Sequence, residues 1–307
     1  MLSLILFQRI AELFVIIFFG WLIVKVGILK SEDSRCLSMI LLYIITPSVF
    51  FNAFQIERTP EVLSMMAFSA VLALTSNVLL ILLGDLSAKL LHLDVVEEAS
   101  IIYPNSGNMA IPLVSAIFGT EWVVFVTLYN MIQNLFVWTH CRMFVSGERK
   151  VSLRKILLNI NILAILAGAL MFFLNIQLPG IVHNALTSVG NMIGPAAMMV
   201  TGMLIAGMDL KKIFTHKRVW FIAALRLLAV PLICVFALRM VSRHTGVPNG
   251  DMILLITLLA TASPSGTTIT QMAQVYGGDT EYACSINVVT TLLCIVTMPI
   301  MVALYQL

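Results

Sequence analysis

Charge is what this sequence has least of. Only 11% of its 307 residues are Asp, Glu, Lys or Arg, against about 25% in a soluble domain. With 60% hydrophobic residues, the chain cannot cover a water-facing surface. Cysteine is sparse as well. Cys36, Cys141, Cys234, Cys284 and Cys294 are scattered without a CxxC pair, which argues against a disulfide framework or a thiolate metal site. The first apolar run has no basic start and no small-residue cleavage site, so it does not read as a removable signal peptide. No P-loop is present, which excludes ATP as the direct energy source. There is no HExxH, no His lies deep in an apolar run, and Asp85, Glu121 and Asp279 all fall near run ends. An intramembrane enzyme needs a nucleophile with its base, or paired midplane carboxylates. None is legible, so no enzyme is expected, and no nucleic-acid partner.

What remains is a set of long apolar runs. A hydrocarbon core of ~30 Å takes about 20 helical residues. Ten segments qualify, at approximately 6–24, 37–54, 62–83, 99–118, 122–145, 156–174, 185–206, 219–241, 252–275 and 282–304. The expectation is an all-α integral membrane protein with ten transmembrane helices.

Positive residues orient these segments. Thirteen Lys and Arg fall on one side, including Lys25, Lys30, Lys89, Arg149, Lys150, Arg154, Lys155, Lys211 and Lys217. Four fall on the other: Arg9, Arg58, Arg239 and Arg243. The positive-inside rule puts the thirteen in the cytoplasm of a plasma (inner) membrane and both termini outside, in the periplasm.

Two segments are interrupted. The fourth contains Tyr103-Pro104-Asn105-Ser106-Gly107-Asn108-Met109-Ala110-Ile111-Pro112, and the ninth contains Ala262-Ser263-Pro264-Ser265-Gly266-Thr267-Thr268. Proline removes a backbone donor and clashes with the preceding turn. Asn and Ser favour helix starts over helix interiors. Each helix should therefore break and restart. In lipid, a broken backbone survives only where protein covers it or where it lines a cavity.

The interruptions sit in matching places. The second and seventh segments each carry an interior proline, Pro47 and Pro195. The fourth and ninth are both broken, and each runs on to a glycine turn with an acid, Gly119-Thr120-Glu121 and Gly277-Gly278-Asp279. We read two inverted five-helix repeats, residues 1–145 and 156–307, joined by a cytoplasmic basic linker at 146–155.

At a break, the restarting half-helix points free N–H groups and a positive dipole end at the membrane middle, which favours an anion. The halves restarting near Asn108 and Gly266 should bring two such ends together. The ending halves expose carbonyls near Tyr103 and Ala262 that suit Na⁺. The plainer alternative is two kinked, packed helices without a site. Coupling to Na⁺ or H⁺ stays open.

The same residues resemble the auxin efflux carrier family, in its bacterial branch of malate and malonate permeases within the larger bile acid:sodium symporter group. The resemblance covers the whole chain. Asn105 to Leu113 and Ala262 to Thr268 carry it, supported by Gly27-Ile28-Leu29 and by Leu227-Leu228-Ala229-Val230-Pro231-Leu232. It implies ten helices in two inverted repeats, with broken helices four and nine crossing to form the substrate site. It implies a scaffold of helices one, two, six and seven, and a homodimer through that scaffold. By resemblance, Asn105, Ser106, Gly107, Asn108, Ser263, Pro264, Ser265, Gly266, Thr267 and Thr268 are the substrate-binding residues. Plant members carry Asn-Pro-Asn at the second crossover, where this chain has Ser263-Pro264-Ser265, so auxin itself is not the expected substrate.

The functional expectation is a secondary transporter of small organic anions, carboxylates foremost, working by alternating access. A channel or a ligand-sensing membrane protein on the same fold is the alternative. Arg226 is the only basic residue deep in an apolar run. It is either a charge partner for the substrate or a side chain that snorkels back to the interface. Glu12 reads as an interfacial partner of Arg9. Asn77 and Gln133 read as interhelix hydrogen-bonders. Asn130, Asn134, Asn287, Thr290 and Thr291 follow the breaks and are candidates to line a cavity, and His140 reads as interfacial.

Overall fold

The computed structural model describes residues 2–146, 158–209, 213, 216–276 and 278–307. The expected basic linker at 146–155 lies outside the described residues apart from the backbone of Ser146, as do Lys211, Lys212 and Gly277. All regular elements among the described residues are helical. Three helices open the chain: α1 (Leu2–Lys25), α2 (Ser31–Ala53) and α3 (Pro60–Leu91). A short pair follows, α4 (Val95–Ile102) and α5 (Ser106–Phe118), and then α6 (123–146). Next come α7 (Ile160–Phe173), α8 (Gly180–Ala206) and α9 (Lys217–Ser242). A second pair, α10 (Gly250–Thr261) and α11 (Thr267–Tyr276), leads into α12 (Thr280–Gln306). Six of these, α1, α2, α3, α8, α9 and α12, are long and apolar enough to cross a membrane.

Local chemistry sets the helix ends. Thr59 Oγ accepts the Val62 N–H at 3.2 Å, and Pro60 takes the first turn of α3, where its missing donor costs nothing. Asp94 caps α4 by accepting the Val96 and Glu97 N–H groups, while the Glu97 carboxylate accepts the Asp94 N–H at 2.9 Å. This is a reciprocal capping box. α1 stops ahead of Gly27, whose φ of +81° suits a residue without a side chain.

Among the described residues, four π turns widen the helices: Leu41–Ile45, Ser106–Ala110, Val137–Cys141 and Leu225–Ala229. Three of them end two residues before a proline: Pro47, Pro112 and Pro231. A proline ring clashes with the carbonyl four residues back. Those carbonyls, of Tyr43, Asn108 and Leu227, lie inside the widened turns, which give them room.

Glycine brings backbones together. A Cβ on Gly202 of α8 would lie 2.0 Å from the Ile17 carbonyl oxygen of α1, and one on Gly20 would lie 2.3 Å from the Met199 carbonyl oxygen. Small residues permit this approach, which is how helices pack without a hydrophobic drive between them. Large apolar side chains such as Phe18, Leu82, Leu170 and Phe236 face outward, as lipid contact requires. Residues 253–266 are buried without interruption, which puts the α10 end and the segment after it in the interior.

Candidate functional site at the crossing of two broken helices

The two breaks meet. α4 ends at Ile102, where Tyr103 turns extended, and α10 ends at Thr261, where a turn at Ala262 leads into the non-helical segment 263–266. Pro104 and Ser265 form an isolated antiparallel bridge. The Asn105 N–H donates to the Pro264 carbonyl at 2.7 Å, and the Gly266 N–H donates to the Tyr103 carbonyl at 2.9 Å. Each break thus satisfies the backbone of the other, as buried irregular backbone requires. A Cβ on Gly266 would lie 3.1 Å from the Tyr103 oxygen, tight enough to push the strands apart.

Side chains from the following helices hold the crossing in place. On the α6 side, Gln133 Nε2 donates to the Pro104 carbonyl at 2.6 Å, Ser106 Oγ donates to Gln133 Oε1 at 2.6 Å, and Asn130 Nδ2 donates to Ser106 Oγ at 2.8 Å. On the α12 side, Asn287 Nδ2 donates to the Ser265 carbonyl at 2.5 Å, and Thr290 Oγ accepts the Ser265 N–H at 3.1 Å. The arrangement is the same twice over, with an amide side chain of the next long helix on a carbonyl of the break. Asn130, Asn287 and Thr290 are therefore braces of the crossing, and Asn134 supports Asn130 through a bond of 2.9 Å to its Oδ1. Gln133 bonds between helices as expected. Asn77 does not, because its amide donates to the Ala73 carbonyl of its own helix at 2.8 Å.

Arg226 does not snorkel. Its side chain is fully buried, at 0% exposure. Nη1 donates to the Ile101 carbonyl at 2.8 Å, Nη2 to the Thr261 and Ser263 carbonyls at 2.6 and 2.8 Å, and Nε to Ser263 at 3.1 Å. These carbonyls belong to the ends of α4 and α10. The guanidinium sits where the two negative helix ends converge. Arg226 reaches them from the π turn Leu225–Ala229, the one that makes room for Pro231.

The expected site residues divide into two groups. Asn105, Ser106, Ser263, Pro264, Ser265 and Gly266 are buried in the crossing itself. Gly107, Asn108, Thr267 and Thr268 are half-buried and form its reachable face. Asn108 Nδ2 donates to Thr267 Oγ at 3.3 Å, which joins the first turns of α5 and α11. α5 restarts at Ser106 and α11 at Thr267, within two residues of the expected points. Ser265 Oγ is buried and makes no hydrogen bond.

A cavity of about 520 Å³ opens beside α5, against α1, α2 and α8. Pro112 and Ser115 line it from α5, Asn52 and Gln55 come from α2 and the chain just after it, and His183 and Asn191 come from α8. Asn108, Pro112 and Ser115 are spaced four and three residues apart and share one face of α5. The cavity therefore runs along the face that carries Asn108, one turn away.

Two further clusters escaped the sequence reading. Tyr103 OH and His140 Nδ1 are 2.8 Å apart, so His140 is tied to the crossing rather than simply interfacial. Glu97 is fully buried and accepts from Arg218 Nη2 at 2.8 Å and from Tyr282 OH at 2.6 Å, which joins the starts of α4, α9 and α12. The Asp94-x-x-Glu97 pattern is the signal that could have placed Glu97 at a helix start. Arg9 and Glu12 form the expected pair at 2.9 Å.

A helical membrane protein whose two broken helices meet at their breaks has the discontinuous-helix architecture on which membrane transporters build binding sites. A family model described as membrane transport protein matches residues 5–302. The chain belongs to this family, that of the auxin efflux carriers. Among curated proteins it is similar to the "Putative malonate transporter" of Rhizobium meliloti (strain 1021), at 25% identity over 300 residues, which span 92% of this chain and 91% of that protein.

Proposed function

We propose that this protein is a secondary transporter of small organic anions, carboxylates first among them, with its substrate site at the reachable face of the crossing. One observation carries the reading: the first turns of α5 and α11 meet at Asn108 and Thr267, 3.3 Å apart. Two helix N-termini each contribute about half a positive charge and free N–H groups. Asn108 adds an amide donor, and the hydroxyls of Thr267 and Thr268 add two more. A carboxylate fits that set. The name of the Rhizobium relative, "Putative malonate transporter", supports the same class of solute.

In this reading the chain forms ten spans in two inverted repeats, with both termini outside an inner membrane. α1, α2, α7 and α8 serve as a scaffold through which two copies pair. The crossing bundle rocks against it, and the cavity beside α5 is the way in from one side. An ion gradient or the substrate's own gradient drives the cycle.

The test is uptake of radiolabelled malonate into proteoliposomes containing the purified protein. Saturable uptake, with counterflow from preloaded malonate, is the expected result. Linear, non-saturating flux would indicate a pore, and binding without flux would indicate a sensor. Either result would overturn the reading.

A further inference from the structure

Arg226 is the only buried cation among the described residues, and no carboxylate pairs with it there. Its titratable neighbours are the phenol of Tyr129 and the thiol of Cys234. A buried, unpaired charge is costly, and a protein keeps one only where something else compensates it. Here the compensation is visible. Three carbonyls, those of Ile101, Thr261 and Ser263, accept four hydrogen bonds from the guanidinium. Ile101 lies in the last turn of α4, and Thr261 closes α10.

The helix ends give a simple charge count. Each C-terminal end carries about −0.5 of a charge and each N-terminal end about +0.5. Four ends converge at the crossing. The two negative ends, of α4 and α10, sum to about −1, and the guanidinium offsets them. The two positive ends, of α5 and α11, keep their full field at Asn108 and Thr267. In carriers built on broken helices, the carbonyl ends are where a coupling Na⁺ is held. In this chain those carbonyls are already occupied by a side chain.

We propose that Arg226 is the resident cation of the crossing. It occupies the carbonyl-lined ends of α4 and α10 that a co-transported Na⁺ would need, so the anion binds and moves without Na⁺. The planar fork of arginine reaches both helix ends at once, which a point charge on a flexible stem does less well. The π turn ahead of Pro231 holds the side chain in the fold, so the charge is fixed rather than recruited. Protons or the substrate's own gradient are then the driving force. The proposal rests on the crossing being the substrate site, and the experiment separates the two claims.

The experiment measures thermal unfolding of the purified full-length protein in NaCl and in choline chloride at equal ionic strength. Malonate is the probe ligand, and wild type is compared with Arg226→Lys and Arg226→Gln. Wild type and Arg226→Lys should unfold at the same temperature in both salts and bind malonate equally in both. Arg226→Gln should bind malonate about tenfold or more weakly in choline, the effect of losing a unit charge at short range. Na⁺ should stabilise that variant specifically, because the vacated carbonyls accept it. A merely structural arginine would not create this Na⁺ response.

Saturable, Na⁺-specific stabilisation of wild type would overturn the proposal. So would a folded Arg226→Gln with wild-type malonate affinity in choline. If Arg226→Gln does not fold, the Na⁺ titrations of wild type and Arg226→Lys decide alone. If no protein binds malonate, yet Na⁺ is silent on wild type and stabilises Arg226→Gln, the substrate reading fails and the resident cation stands.

Discussion

Asn108 of α5 and Thr267 of α11 touch at 3.3 Å, amide nitrogen to hydroxyl oxygen, although 159 residues separate them in the chain. Each sits in the first turn of a helix that starts at a break. Among the described residues, their contact is the only direct side-chain hydrogen bond between these two restarting helices. It lies on the reachable side of the crossing, whereas the neighbouring Ser106 and Ser265 are sealed inside.

Replacing Asn108 should therefore cost binding and not folding. Hydrogen bonds to a charged group are worth about 1.5–3 kcal/mol. Asn108→Ala should weaken malonate binding by about 10- to 100-fold, since ~1.4 kcal/mol is tenfold. Isothermal titration on protein shown to be folded by its thermal transition measures this. Unchanged affinity would move the site away from the crossing.

Close helix contact predicts a packing defect at the α1–α8 interface. A Cβ at Gly202 would meet backbone atoms of α1, the Ile17 oxygen at 2.0 Å and the Trp21 nitrogen at 2.7 Å. Backbone cannot swing aside as a flexible side chain can. Gly202→Ala should cost about 1–3 kcal/mol, the usual range for overpacking, and should lie toward its upper end. Gly246→Ala, where nothing lies within 4 Å, is the control. Equal melting temperatures for the two variants would refute the tight α1–α8 contact.

The sequence exposed the breaks because proline and glycine act locally. Pro104, Pro112, Pro264 and Gly266 mark where helices end and restart, and no partner has to be known to read them. Three of the π turns carry the same signal in Pro47, Pro112 and Pro231, whereas Val137–Cys141 has no proline to announce it. The role of Arg226 was not legible. Its depth along the segment left snorkelling and function equally open, and only the fold brings the Ile101, Thr261 and Ser263 carbonyls around it. Glu97 shows the same limit. Its capping pattern with Asp94 is local, but Arg218 and Tyr282 lie 121 and 185 residues further along the chain, beyond any periodicity.

Topology gives the next prediction. Thirteen Lys and Arg on one side against four on the other put both termini outside. In a background with all five cysteines replaced, a cysteine at Gln306 should react with an impermeant maleimide on intact cells. One at Ser152 should react only after lysis. Labelling of Ser152 from outside would invert the assignment.

The last prediction concerns pH and the Glu97 cluster. Burial alone would push the Glu97 carboxyl up. The hydrogen bonds from Arg218 and Tyr282 and from the Asp94 N–H, with the Arg218 charge, outweigh burial and hold it below its ordinary value of 4.5. A carboxyl with a depressed folded value stabilises the fold above its unfolded value. That contribution is lost as pH falls from about 4.5 through the folded value. Glu97→Gln keeps the shape and removes the charge. At pH 7 it should melt a few degrees below wild type, because α4, α9 and α12 lose their common charged anchor. As pH drops below about 4.5, wild type should lose its advantage and the two melting curves should converge. Arg218→Gln should show the same convergence, since it removes the other half of the pair. A gap between wild type and Glu97→Gln that stays constant from pH 7 to acid would show that Glu97 acts through packing, not through its charge.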